Sequence, residues 1–114
     1  MPAKIFRENI TMTEKEKMLA GELYIAEEAE LAAEHARAIE LCDRLDCGGI
    51  SEEERYALTR QLLGKCGKNT VLGRGFRCDY GYNIEAGENF YVNFNVVILD
   101  VCKVKIGDNC LIAP

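Results

Sequence analysis

The stretch Ile84–Pro114, IEAGENFYVNFNVVILDVCKVKIGDNCLIAP, decides the fold. Small or aliphatic residues recur in it every six positions, at Ala86, Val92 and Ile98 and again at Ile106 and Ile112. A period of six fits neither a helix of about 3.6 residues per turn nor a strand alternating about every 2. A turn signal recurs as well. Gly87-Glu88-Asn89 and Gly107-Asp108-Asn109 lie 20 residues apart, three hexapeptides plus a two-residue insertion between Asp100 and Lys105. Each hexapeptide supplies one short strand and one turn, and three close a triangular coil of a parallel β-helix. The residue at every sixth position points inward, because a coil buries nothing until another stacks on it. A few antiparallel strands joined by Gly-Asn turns is the competing reading.

Working back from this stretch, the chain changes character near residues 66–70. Up to Lys68 it is dense in Ala, Glu and Leu and carries 14 of the 19 acidic residues. Thr13 with Glu16 forms a capping-box pair that opens a short helix through Met18 and Leu19, with Gly21 near its end. A second helix is expected from about Glu27 to Asp43, with Leu31, Ala32, Ala36, Ala38, Ile39 and Leu41 at helical intervals and Glu, His and Arg on a solvated face. Asp46-Cys47-Gly48-Gly49 breaks it. Ser51 with Glu54 is a second capping box for a helix from Glu52 to about Leu63, where Tyr56, Leu58, Leu62 and Leu63 are candidate buried positions, and Gly64 and Gly67 end it. The fold class is α+β, with a helical leader over 1–68 and stacked coils over 69–114.

Composition narrows the function. The 114 residues suit one compact domain. A formal net charge of −5 disfavours a phosphate backbone as partner, so no nucleic acid is expected. The longest apolar run is Val96-Val97-Ile98-Leu99, far below the roughly 20 residues a membrane span needs. The opening MPAKIFRENITMTEKEKMLA lacks the apolar segment of an export signal, which points to the cytoplasm. The six cysteines are therefore expected as free thiols. Their spacing contains no Cys-x2-Cys pair and is poor for zinc, so no metal is expected. Gly73-Arg74-Gly75 lacks the spacing and the Lys-Ser/Thr of a phosphate loop.

MTEKEKMLAGELY at Met12–Tyr24, FRCDYGYNI at Phe76–Ile84 and GENFYVNFNVVILDVCKVKIGDNCLIAP at Gly87–Pro114 closely resemble the maltose and galactoside O-acetyltransferases, which include nodulation-type acetyltransferases. The resemblance implies a small helical domain before a left-handed parallel β-helix, a homo-oligomer that is a trimer, and transfer of an acetyl group from acetyl-CoA to a sugar hydroxyl. It implies that Asn93 lies beside the catalytic histidine and hydrogen-bonds substrate or transition state. A turn asparagine with left-handed backbone is the alternative for that residue. Tyr91 is implied to line the sugar pocket, Asp79 to bind sugar hydroxyls, and Asp100 falls near the acceptor site. For Tyr91 plain surface packing is the alternative, and for Asp79 a turn-capping role.

The resemblance also shows what this stretch of chain lacks. The family's histidine base follows LIAP by several residues, past Pro114, so the chain is expected to be an incomplete and inactive portion, or a non-catalytic fragment that binds sugar or self-associates. The single histidine, His35, is expected to be an ordinary solvated or half-buried side chain. Where the family has an acidic residue after Gly21-Glu22-Leu23-Tyr24, Ile25-Ala26 stand here, and Glu27 and Glu28 are not expected to replace it. Arg74-Gly75, in place of the usual Pro-Pro, loosens entry into the first coil. The coils that hold coenzyme A come later in the family, so its binding residues are unassigned and acetyl-CoA is not expected to bind well to these residues alone.

Overall fold

The computed structural model describes residues 12–114; residues 1–11 of the helical leader lie outside the described part. Three helices come first: α1 (Glu14–Leu19), α2 (Ala29–Leu45) and α3 (Glu52–Leu62). Seven short strands follow: β1 (Val71–Leu72), β2 (Arg77–Cys78), β3 (Ile84–Ala86), β4 (Tyr91–Val92), β5 (Val97–Ile98), β6 (Val104–Ile106) and β7 (Leu111–Ile112). Both expected N-caps start helices, and the reciprocal bond of a capping box forms at Thr13, whose amide donates to the Glu16 carboxylate at 3.2 Å, but not at Ser51. The Thr13 hydroxyl accepts from the Glu16 amide at 3.0 Å, and the Ser51 hydroxyl accepts from the Glu54 amide at 3.1 Å. Helix α2 begins two residues later than its sequence indicates, because the Glu28 carboxylate caps it through the Glu30 and Leu31 amides.

The strands pair in parallel, each with the strand twenty positions on: Val71 with Tyr91, Tyr91 with Leu111, Arg77 with Val97, Ile84 with Val104. The three resulting ladders, β1-β4-β7, β2-β5 and β3-β6, are the faces of a left-handed parallel β-helix. Inward residues Leu72, Cys78, Ala86, Val92, Ile98, Ile106 and Ile112 fall at intervals of six, eight, six, six, eight and six. The two-residue insertion is thus present in the first coil as well as the second, always at the corner after β2 or β5. Another corner is held by a vertical amide chain, in which the Asn69 Nδ2 donates to Asn89 Oδ1 at 3.0 Å and the Asn89 Nδ2 to Asn109 Oδ1 at 2.8 Å. Asn89, Asn95 and Asn109 all take left-handed backbone, with φ of 57° to 59°.

Helices and coils share one hydrophobic core. Ala38, Leu41 and Leu45 of α2 and Leu58 and Leu62 of α3 form a single cluster with Leu72, Ile84, Phe90 and Val92. Burial of side chains such as Phe90 and Ile84 contributes about 1.5–3 kcal/mol each. The last helix ends at Leu62 and Lys65 already bridges in parallel to Glu85, so coil pairing starts before Lys68, and side chains pack across the change. Ile39, grouped by spacing with the buried face of α2, is 44% exposed, and Cys42 and Leu45 fill that face instead. The first coil is tied down firmly. Asp46, at the C-terminal end of α2, accepts from the Gly75 amide at 3.0 Å and from Arg77 at 3.1 Å. Gly75, at φ 84°, takes a backbone that Arg-Pro or Pro-Pro could not supply.

Candidate functional site

The longer corner of the first coil, Asp79 to Asn83, is built on a carboxylate from the coil above. Asp100 is fully buried, and its carboxylate accepts from the backbone amides of Asp79 (3.0 Å), Tyr80 (2.9 Å) and Asn83 (3.2 Å). The Asn83 Nδ2 donates to the Asp100 carbonyl at 2.8 Å. Hydrogen bonds to an ionised acceptor are worth roughly 1.5–3 kcal/mol each, so this corner is rigid. Gly81 makes the bend at φ 85°, with the Leu62 carbonyl pressed against the side where a Cβ would sit.

The corner turns two tyrosines toward the leader. Tyr80 packs with Met18 and Leu31 in a second small core, flanked by Tyr24, Tyr82 and Val101. The Cys102 thiol adds a bond to the Met18 carbonyl at 3.1 Å. Lys15 pairs with Glu34 at 2.6 Å and sits 4.6 Å over the Tyr82 ring. The Tyr82 hydroxyl and Glu34 Oε2 are buried without a well-formed hydrogen bond, and burial followed by the Glu34 carboxylate pushes that hydroxyl well above its ordinary pKa. Glu14 accepts from the Ile25 amide at 2.7 Å, fixing the turn after Tyr24. A hydrogen bond from Lys17, then the Ile25 amide, lowers the pKa of the Glu14 carboxyl.

Between corner and leader lies a cleft of about 400 Å³ lined by Tyr24, Glu27, His35, Asp79, Tyr80 and Val101, among others. His35 Nδ1 stands 2.8 Å from the Asp79 carbonyl oxygen, and its ring meets the edge of Tyr80 at 6.2 Å between centroids. A carbonyl only accepts, so Nδ1 carries the hydrogen. Burial, then the Asp100 charge, raises the pKa of the Asp79 carboxyl, and His35 partly opposes this.

The residues picked from sequence are not gathered in one place. Asp79 opens into this cleft. Asp100 lies beneath it, with no surface to offer an acceptor. Tyr91 is 43% exposed on the β1-β4-β7 face and lines a different cleft of about 480 Å³ with Arg55, Tyr56, Arg74 and Phe94. Asn93, half-buried, accepts from the Phe94 amide at 2.8 Å through its own side chain. The left-handed corner beside it belongs to Asn95 and not to Asn93. His35, expected as an ordinary solvated or half-buried side chain, is exposed, and its place in the cleft rests on a contact across 44 residues, which no local pattern signals.

A sequence profile described as the maltose acetyltransferase hexapeptide capping motif matches residues 17–67. Nodulation protein L of Rhizobium meliloti (strain 1021) is 45% identical over 106 residues, covering 92% of this chain and 58% of that protein. A solved maltose O-acetyltransferase from Clostridium difficile 630 superposes with a TM-score of 0.84 at 44% identity, over 90% of this chain and 56% of its own. Over about nine-tenths of its length the chain is thus similar to proteins of the maltose and galactoside O-acetyltransferase type, and its leader carries their capping motif. Another similar structure, a galactoside acetyltransferase in complex with coenzyme A, matches with a TM-score of 0.82 at 35% identity, over 91% of this chain and 52% of its own. The chain spans about half the length of the relatives it matches.

Proposed function

We propose that the protein is an acetyl-CoA-dependent O-acetyltransferase acting on a sugar hydroxyl, and that residues 12–114 build the acceptor side of its site. The observation that carries this reading is the Asp79 corner. A carboxylate held on a rigid bend, at the mouth of a cleft against the helical leader, is suited to accept hydrogen bonds from a polyol. Similarity to the sugar acetyltransferases supports the reaction type, and the coenzyme A complex of the galactoside acetyltransferase supports the donor.

The Asp79 cleft does not fit the donor itself. Coenzyme A carries phosphates, and the described residues lining this cleft include Glu27 and Asp79 but no Lys or Arg. Transfer needs a base to take the hydroxyl proton and a hydrogen-bond donor to steady the tetrahedral oxyanion. Asn93 is proposed for the second role. The histidine base of the family resemblance lies past LIAP, so residues 1–114 by themselves are expected to bind an acceptor without acetylating it. An acetyl-transfer assay on the 114-residue polypeptide, its mass verified, should give background rates with maltose, galactosides and glucose. Turnover above background would overturn this division of labour and direct attention to His35 or Asp79.

Self-association belongs to the same proposal. Val71, Tyr91 and Leu111, stacked in register on one face, are 42%, 43% and 75% exposed, and Val97 on the next face is 59% exposed. Such an apolar ladder supports lateral packing of copies, with the trimer of the family resemblance as the expected form. A cytoplasmic setting fits six unpaired cysteines, and no described helix is long and apolar enough to cross a membrane.

A further inference from the structure

Three acceptor groups converge on the Asp79 cleft from both of its walls. Glu27 and His35 come from the leader and Asp79 from the first coil. Among the described residues, neither carboxylate makes a side-chain hydrogen bond or ion pair, and His35 bonds only through Nδ1. In the neutral ring, fixing the hydrogen on Nδ1 leaves Nε2 as a bare acceptor. Lys15, a cation on the same leader, is committed to Glu34 and to the face of Tyr82. Among the described residues the cleft is therefore rich in acceptors and lined by no Lys or Arg.

Resting on the acceptor-site reading above, we propose that His35 is a recognition residue for the acceptor, and that the cleft selects a neutral, hydroxyl-rich ligand over an anionic one. The Asp79 carboxylate takes a hydrogen bond from one hydroxyl of the polyol, and His35 Nε2 takes one from another. A sugar phosphate or uronate meets two carboxylates with no Lys or Arg among the described lining residues to offset them, so rejection comes from repulsion as much as from lost contacts. The ring stays in place because its other nitrogen is tied to the Asp79 carbonyl, which also couples the two recognition groups to one corner.

The His35→Asn variant separates recognition from structure. The Asn amide nitrogen sits near the position of Nδ1 and keeps the bond to the Asp79 carbonyl, while nothing replaces Nε2. NMR titrations of the purified protein with glucose, maltose and glucose 6-phosphate, without any acetyl donor, measure binding directly. The expected results are a neutral sugar that binds, a 6-phosphate at least tenfold weaker, and a three- to tenfold loss of sugar affinity in His35→Asn, the size of one lost hydrogen bond. Nitrogen-15 ring shifts of the free protein should show the Nδ1–H tautomer. Equal sugar binding by wild type and His35→Asn, the Nε2–H tautomer, or a 6-phosphate that binds as well as glucose would each overturn the assignment while leaving the acceptor site standing. Absence of any sugar binding near Asp79 would overturn both.

Discussion

Asp79 is held where its charge is unwelcome. Burial and the neighbouring Asp100 raise its folded pKa above the value of an unfolded carboxyl, about 3.9. A group shifted upward contributes most to stability below its unfolded pKa, and that contribution is lost as pH rises through the folded pKa. At pH 7 ionised Asp79 is therefore a destabilising residue. Asp79→Asn should raise the denaturant midpoint at pH 7 and leave it unchanged near pH 3, while weakening acceptor binding. A variant no more stable than wild type at pH 7 would count against the strained carboxylate. Asp79 drew attention as part of the Arg77-Cys78-Asp79-Tyr80-Gly81 motif, and its position at the cleft comes from the fold alone. Asp100 shows the limit of such reading: a carboxylate that faces solvent and one that is buried under three backbone amides share the same letter, and only the stacking of coils tells them apart.

At the level of elements, the period of six was plain from Ala86 onward, while composition put the change from helix to coil a few residues after Leu62, where the last helix ends. The first coil was harder to see. Gly67-Lys68-Asn69 continues the Gly-x-Asn series at the same spacing, but the longer corner and the thiol of Cys78 at an inward position interrupt the count. The asparagine chain at this corner can be tested at Asn89, which has amide partners above and below and φ of 57°. Asn89→Ala loses both exposed bonds and leaves a Cβ in left-handed backbone without the side-chain amide that lets asparagine tolerate it, a loss of about 1–2 kcal/mol. Asn89→Gly relieves the backbone and should cost roughly half as much. Urea midpoints would compare the two, and an equal loss would mean that the left-handed turn is not what the asparagine provides.

For the whole molecule, sequence period marked where helices give way to coils but could not show that one core runs through both. The residues that join them, Leu45, Leu62 and Ile84 among them, belong to different periodic patterns and meet only in the folded chain. The same holds for Tyr91, whose exposed place on the β1-β4-β7 face follows from the register with Val71 and Leu111. Light scattering of the polypeptide at low micromolar concentration should give a multiple of the 12.8 kDa chain mass, with the trimer expected. A stable monomer would show that the apolar ladder of that face needs no second copy.

The twenty-residue register also shapes how the chain finds its fold. Every strand pair between successive coils closes a stretch of the same length, and closure entropy depends only on the logarithm of that length. Each new coil therefore meets the same entropic barrier as the one before and gains a comparable set of bonds, so winding proceeds turn by turn from the platform of α2 and α3. The bond from Cys102 to Met18 spans 84 residues and needs the second coil in place. Helix α1 therefore touches both coils, through Tyr80 of the first and Cys102 of the second, and the cleft between leader and corner has its full lining only when the second coil brings Val101 into place.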